Sequence, residues 1–384
     1  MGAIGRREWI VKTGLATAGL ALGGCATRRP ASAFSAYDRA LSRSPFVRPR
    51  ILADQVIRTV VGLRPYRPSG FVVRGERMGE KLVVHNYGHG GGGITLSWGS
   101  SALAVREAPP AVGGRRAAVI GAGIMGLTTA RLLQDRGWSV TIYAKALPPH
   151  TTSNIAGGQW APTSVFEESR ATAAFQTQYK EAARLAHHAF GNLVGSGYGV
   201  SWKENYFLNA RRVEPRADYY LRELPELFPS LKELGPDEHP FPSPFVYRFV
   251  TMLVEPSVFL RRTLTDIREA GGRVEVREFR DVSEVLALEE PAIFNCTGLG
   301  AGALFGDTEL VPVRGQLVFM PPDDRLDYLT IGGGEGTLFM FPRPDGILLG
   351  GTFERGASHL AADAGTTARI LRDHARIAEG MRVA

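Results

Sequence analysis

The chain is poor in cysteine, with two in 384 residues, Cys25 and Cys296, and these suggest no disulfide scaffold. It has no internal repeat and no low-complexity tract, which excludes solenoids and disordered arrays. No apolar run reaches the length of a membrane-spanning helix. No His, Cys or acidic residues fall at metal-ligand spacing, so no metal is expected. Net charge is +7, from 45 Lys and Arg against 38 Asp and Glu, yet no basic stripe alternates with aromatics. Nucleic-acid binding is therefore not expected, and the charge licenses only a mild attraction for anionic substrates or surfaces. What remains is an ordinary globular composition, in a chain long enough for two domains with a large core.

The N-terminus carries a targeting pattern. Arg6 and Arg7 precede an apolar stretch from Leu15 to Leu22, which ends in Leu22-Gly23-Gly24-Cys25. This resembles a twin-arginine export signal followed by a lipoprotein cleavage box. Residues 1–24 are expected to be an export signal. Cys25 would then be the lipidated first residue of the mature chain, anchoring it to a membrane on the periplasmic side. Residues 25–50, rich in Ala, Ser, Arg and Pro, read as a tether, with order beginning near Ile51.

The strongest local signal lies further in. An apolar run, Ala117 to Ile120, meets Gly121, Ala122, Gly123, Ile124, Met125 and Gly126 in the spacing G-x-G-x-x-G, and a helical pattern follows. This is the dinucleotide-binding fingerprint. Its first glycine makes the turn, its second admits a pyrophosphate, and its third lets helix approach strand, with the anion at the helix N-terminus. Ser139 to Ala144 reads as the next strand of a βαβ unit. An acidic residue should follow to hold the ribose hydroxyls, but Lys145 stands there. That leaves open a phosphorylated ribose, as in an NADP enzyme, or a flavin site that never needed the acid. Thr151, Thr152 and Ser153, then Gly157, Gly158 and Gln159, suit a diphosphate and a flat ring. A second glycine cluster, Gly90 to Gly93, abuts a helical run from Ile94 to Val105 and forms another candidate anion cradle. Val56 to Val61 reads as a strand ahead of Gly62 to Pro68, residues 170–193 as helix, and 199–254 as sheet with excursions.

Several motifs together resemble the D-amino-acid oxidase family of flavoenzymes. They are VIGAGIMGL (Val119 to Leu127), TTSNIAGGQWAP (Thr151 to Pro162), FNCTGLGAGAL (Phe294 to Leu304), VRGQLV (Val313 to Val318), GGTF (Gly350 to Phe353), GLRPYRP (Gly62 to Pro68) and HNYGHGGGGITLSWG (His85 to Gly99). In the family the last two follow GGTF, whereas here they precede the fingerprint, so the order resembles a circular permutation. The resemblance implies an α/β fold, with a Rossmann-type FAD-binding domain and a mixed-sheet α+β substrate domain. The expected boundaries are 80–168 and 258–306 for the FAD domain, and 51–79, 169–257 and 307–384 for the substrate domain.

The resemblance also implies roles. FAD would contact residues 121–126 and 151–153, with Gly157, Gly158 and Gln159 close to its reactive ring. Gly90, Gly92, Gly93, Ile94 and Thr95 would close over the pyrimidine end. Thr297 and Gly298 would lie near the adenosine half, although a plain strand-to-turn exit explains them equally well, and Lys145 replaces the usual partner there. Arg64 would grip the substrate carboxylate, Gly91 would offer its backbone carbonyl to the amine, and Phe339 would form a pocket wall. His85, His89 and Arg67 read as structural. The implied reaction is oxidative deamination of a D-amino acid. Hydride passes from the α-carbon to flavin N5, giving a 2-oxo acid, ammonia and, with oxygen as acceptor, hydrogen peroxide; a respiratory acceptor is the alternative. Phe339 and Thr163 stand where the family's well-known members have tyrosines, which puts the substrate in doubt. Other readings are a glycine, D-aspartate or secondary-amine oxidase on this scaffold, and a non-catalytic flavin-binding lipoprotein.

Overall fold

The computed structural model describes residues 46–108, 114–334 and 336–382. The expected export signal, Cys25, most of the tether and Glu335 lie outside the described residues. Two sheets carry this body. The nine-stranded sheet contains β1 (Arg58–Tyr66), β6 (Val200–Asn209), β7 (Lys232–Leu234), β8 (Phe245–Val254), β11 (Val311–Met320), β12 (Tyr328–Gly332), β13 (Phe339–Arg343), β14 (Gly346–Gly350) and β15 (Glu354–Arg355). Its order is β1-β11-β14-β13-β12-β6-β8-β7, with β15 paired to β11. The six-stranded sheet contains β2 (Val72–Met78), β3 (Lys81–Tyr87), β4 (Arg116–Ile120), β5 (Ser139–Ala144), β9 (Arg273–Val276) and β10 (Ala292–Asn295), in the order β2-β3-β10-β4-β5-β9. All its pairings are parallel except that of β2 with β3. Strands β4 and β10 are buried along almost their whole length, which explains their unbroken apolar runs.

The helices are α1 (Gly93–Arg106), α2 (Ile124–Asp135), α3 (Thr152–Ile155), α4 (Ala173–Leu193), α5 (Tyr219–Glu223), α6 (Pro256–Glu269), α7 (Val282–Leu286), α8 (Gly300–Phe305) and α9 (Ala364–Glu379). In α4, the Thr172 hydroxyl caps the N-terminus by accepting from the Phe175 N–H at 3.1 Å, and Tyr179, Ala182, Ala183, Ala186 and Phe190 form its buried face. This helix crosses α1 closely: a Cβ on Gly99 would lie 1.8 Å from the Ala182 carbonyl oxygen. Helices α1 and α2 are joined by a buried polar seam. In it Asn86 Nδ2 donates to the Ser101 and Thr129 hydroxyls at 3.1 Å each, and the Ser101 and Thr128 hydroxyls meet at 2.8 Å.

Three expectations change. Order begins before Ile51, because Phe46 lodges edge-on against Tyr206, Phe241 and Tyr328 at 5.5, 5.6 and 5.5 Å. The strand expected over Val56 to Val61 runs on to Tyr66, with Gly62 and Gly315 opposite one another in the β1–β11 ladder. The segment 51–79 is divided between the sheets, β1 in the larger and β2 in the smaller, and α4, assigned to the substrate domain, packs on α1 beside the smaller one.

Candidate active site

One cavity of about 1200 Å³ runs along residues from both sheets. At one end the first βα turn leaves β4 at Gly121, whose N–H donates to the Tyr143 carbonyl at 2.7 Å and whose φ is +111°. That angle favours glycine, and a Cβ would also lie 2.6 Å from the Cys296 carbonyl oxygen. A Cβ on Gly126 would lie 1.9 Å from the Gly121 carbonyl oxygen, so this glycine sets how closely α2 meets its strand. Residues 121–125 line the cavity and Gly126 stands behind them. The Ser153 hydroxyl accepts from the Ile124 N–H at 2.9 Å, tying the 151–153 segment to the N-terminus of α2. Thr151, Thr152 and Ser153 all face the same space.

Beyond them lie Thr297 and Gly298, where the Thr297 hydroxyl and amide donate to Asn295 Oδ1 at 2.7 and 3.3 Å. Lys145 is exposed on this rim and meets Glu278 at 3.7 Å. An acidic group thus reaches this end from the segment after β9 instead of from the end of β5. Nothing in the local sequence marked Glu278, because its neighbour arrives from a distant strand.

At the other end, Arg64 projects from β1. Its Nη1 is buried without a hydrogen-bond partner, and no described carboxylate pairs with it. The guanidinium lies over Gly315, where a Cβ would sit 2.4 Å from Nη1, and 5.8 Å from the Phe353 ring centroid. Burial lowers its pKa. A buried unpaired cation is costly, so its presence on a cavity wall points to an anionic ligand. Around it, Phe339 stacks on Phe341 at 4.7 Å, and a Cβ on Gly157 would lie 2.8 Å from the Phe341 ring. Gly158 has φ +94° and lies where a Cβ would meet the Val254 carbonyl oxygen at 2.0 Å. Gln159 Nε2 donates to Asn205 Oδ1 at 2.8 Å.

The second glycine cluster is a tight turn leading into α1. Gly90, Gly91, Gly93 and Ile94 line the cavity. Gly92 and Thr95 do not: a Cβ on Gly92 would strike Val165 at 2.5 Å, and the Thr95 hydroxyl donates to the Ala161 carbonyl at 3.2 Å. The Gly91 N–H donates to the Ser164 carbonyl at 2.9 Å, and Ser164 is held at φ +56°. Three neighbouring groups are structural in their contacts. His85 bridges Glu76 at 2.7 Å and Asn295 at 3.0 Å, and burial lowers its pKa. His89 stacks on Phe71 at 4.5 Å and is held neutral by burial, with a pKa of about 3. Arg67 pairs with Asp307 at 3.0 Å and Glu309 at 2.6 Å. Asn86, beside His85 in the HNY motif, was missed; its Oδ1 is buried without a partner and the residue lines the cavity.

A glycine-turned cradle continuous with a chamber holding an unpaired arginine defines a dinucleotide-dependent oxidoreductase. The protein-family comparison makes the class particular. The model described as "FAD dependent oxidoreductase" (DAO) matches residues 116–381, and the chain belongs to that family. A D-amino-acid oxidase of Rubrobacter xylanophilus is 31% identical over 259 residues, covering 67% of this chain and 75% of that one. Human D-aspartate oxidase is 29% identical over 263 residues, covering 67% and 74%. Among solved structures, glycine oxidase from Bacillus cereus superposes with a TM-score of 0.52 at 15% identity, covering 67% of this chain and 76% of that one.

The cofactor is FAD. The cavity fits it: the volume exceeds the roughly 300–1000 Å³ of ordinary small-molecule pockets, residues 121–125 and 151–153 line it at the N-terminus of α2, and Asn86 Oδ1 is a buried acceptor without a protein partner. Of the two readings that Lys145 left open, flavin therefore stands.

Proposed function

We propose that the protein oxidatively deaminates a D-amino acid. The observation that carries this reading is Arg64 on the wall of the FAD cavity, paired with no described carboxylate and with its Nη1 buried without a partner. A planar fork pairs both oxygens of a carboxylate and so fixes the α-carbon in place. In this reading Gly91 accepts the amine through its carbonyl, and Phe339 on Phe341 excludes water. Residues 121–125 and 151–153 hold the diphosphate, with Gly126 setting the approach of α2 behind them, while Gly157 to Gln159, Gly90, Gly93 and Ile94 surround the ring and Gly92 and Thr95 support that turn from behind. Thr297, Gly298, Lys145 and Glu278 flank the adenosine half. FAD supplies the acceptor for the hydride that leaves the substrate α-carbon. The chain itself moves no proton there: His85 is engaged on both ring nitrogens and His89 is neutral beneath Phe71.

The test is anaerobic bleaching of the flavin spectrum by a panel of D- and L-amino acids, with glycine, D-aspartate and a secondary amine included. Bleaching by D-isomers is expected. A protein bleached only by L-isomers, or by nothing in the panel, would end this reading. The human relative's name favours D-aspartate as a second candidate, and the same panel decides it.

We further propose that the chain is a circular permutation of the family order and is exported and lipid-anchored through Cys25. One contact and the span of the family match support the first. Arg48 Nη2 donates to the Met381 carbonyl at 2.7 Å, so the first and last of the described segments touch. The family match also begins at residue 116, leaving β1 to α1 in front of it. Export is tested by labelling with palmitate: loss of label in Cys25→Ala is expected, and label retained by that variant would refute the anchor.

A further inference from the structure

The substrate end of the cavity has a second charged group that nothing above uses. Asp218 lines the same cavity as Arg64, from the residue just before α5. It occupies the N-cap position, yet its side chain caps nothing and makes no hydrogen bond or ion pair. The nearby arginines are committed elsewhere: Arg222 to Glu168 and the Ala217 carbonyl, Arg216 to the Leu221 carbonyl. Solvent reaches the Asp218 carboxylate, but the surrounding protein desolvates it enough to raise its pKa, and no cation offsets that.

Its place on the wall follows from packing. The Tyr219 ring lies edge-on to Phe166 at 5.0 Å and to Tyr179 at 5.7 Å. The Tyr179 hydroxyl in turn donates to the Pro162 carbonyl. These contacts hold α5 against the 162–166 turn, whose Thr163 and Ser164 back Gly91. Asp218 and Gly91 therefore border one chamber, and the side chains facing it from that turn, Thr163 and Ser164, are short. An open chamber with a fixed cation at Arg64 and an uncompensated carboxylate at Asp218 is complementary to a molecule with the opposite pair of charges.

We infer that Asp218 reads the substrate side chain and selects D-amino acids carrying a cationic one, of the lysine or arginine type, over neutral and acidic ones. This inference rests on the proposed D-amino-acid reading, and it gives Asp218 a positioning role without a part in the chemistry. It argues against D-aspartate, whose second carboxylate would face Asp218.

The test uses the FAD-loaded protein and two readouts. In the first, anaerobic flavin reduction is compared for D-lysine, D-arginine, D-norleucine and D-glutamate, with wild type and Asp218→Asn. The preference of D-lysine over D-norleucine should fall about tenfold in the variant, the scale of one charge-assisted contact, with D-norleucine little changed. Asp218→Lys should shift preference toward D-glutamate. In the second, stabilisation of the protein by 6-aminohexanoate is compared with that by hexanoate in thermal melts, which needs no turnover. Wild type should favour the aminated acid and Asp218→Asn should not. An unchanged ratio in both readouts overturns the inference while leaving the D-amino-acid reading intact. Aminohexanoate selectivity that depends on Asp218, with no D-amino acid reducing the flavin, would keep the cation site and overturn the reaction.

Discussion

Arg64 is a residue whose worth to the folded chain and to its ligand have opposite signs. Arg64 is half-buried and its Nη1 is buried without a partner, so it detracts from the stability of the unliganded protein, and it repays that only when an anion arrives. Arg64→Met should therefore leave the melting temperature unchanged or raise it, while substrate binding weakens about tenfold to a hundredfold, from ~1.5–3 kcal/mol of charge-assisted hydrogen bonding. A melting temperature lowered by several degrees would mean that the arginine is a structural prop. Buried histidines contribute to the response to acid, His89 and His374 most strongly. Burial lowers His89 to about 3 and His374, whose ring meets the Gly350 carbonyl at 3.2 Å, to about 4. The unfolded chain, with both near the ordinary value of about 6.5, binds more protons throughout that window. Stability is thus complete above pH 6.5 and is lost as pH falls through it toward 4 and 3. Melting temperatures followed from pH 8 to pH 4 should drop, and His374→Gln, which keeps a donor for Gly350, should flatten the slope. An unchanged slope would show that other groups govern acid sensitivity.

At the scale of elements, the α2 turn is the least forgiving piece of the site. Gly126→Ala would place a methyl 1.9 Å from the Gly121 carbonyl oxygen, which is main chain and cannot swing away. The variant should purify with flavin content far below wild type, read from the ratio of visible to ultraviolet absorbance, and FAD should fail to restore it in full. Normal flavin content would mean that α2 can shift along its strand without loss. This turn was legible in the sequence because strand, glycines and helix are contiguous there, and β5 was legible as the next strand of the same βαβ unit. Strands β9 and β12 were not, since β9 is a mostly exposed edge strand and β12 owes its pairing to the distant β6. The candidate site divides the same way. Arg64 and Gly90 to Gly93 announced themselves through local motifs, whereas Glu278 and Asp218 lie in unremarkable charged stretches and gain meaning only from what the fold sets beside them.

For the whole molecule, the connections matter less than the contacts they deliver. Strand β1 is held by its nine-residue register with β11, and β3 by its parallel pairing with β10, both far away in sequence. The chain enters this body beside the place where it leaves, since Arg48 reaches the Met381 carbonyl and the Tyr328 hydroxyl donates to the Val47 carbonyl. Permutation is tolerated where termini lie close together at a surface, and closing a somewhat longer loop costs only about 0.6 kcal/mol per doubling of its length. A rearranged chain that starts at Arg116, runs to Arg382, and continues through a short linker into residues 46–108 should therefore fold. It should bind FAD with an affinity within about threefold of the parent, because no contact in either sheet is lost; that factor is ~0.6 kcal/mol, the cost of the altered loop. Its flavin Kd and melting temperature check this directly. A soluble rearranged chain that cannot hold FAD would show that the present order of segments, and not only their packing, shapes the cofactor site.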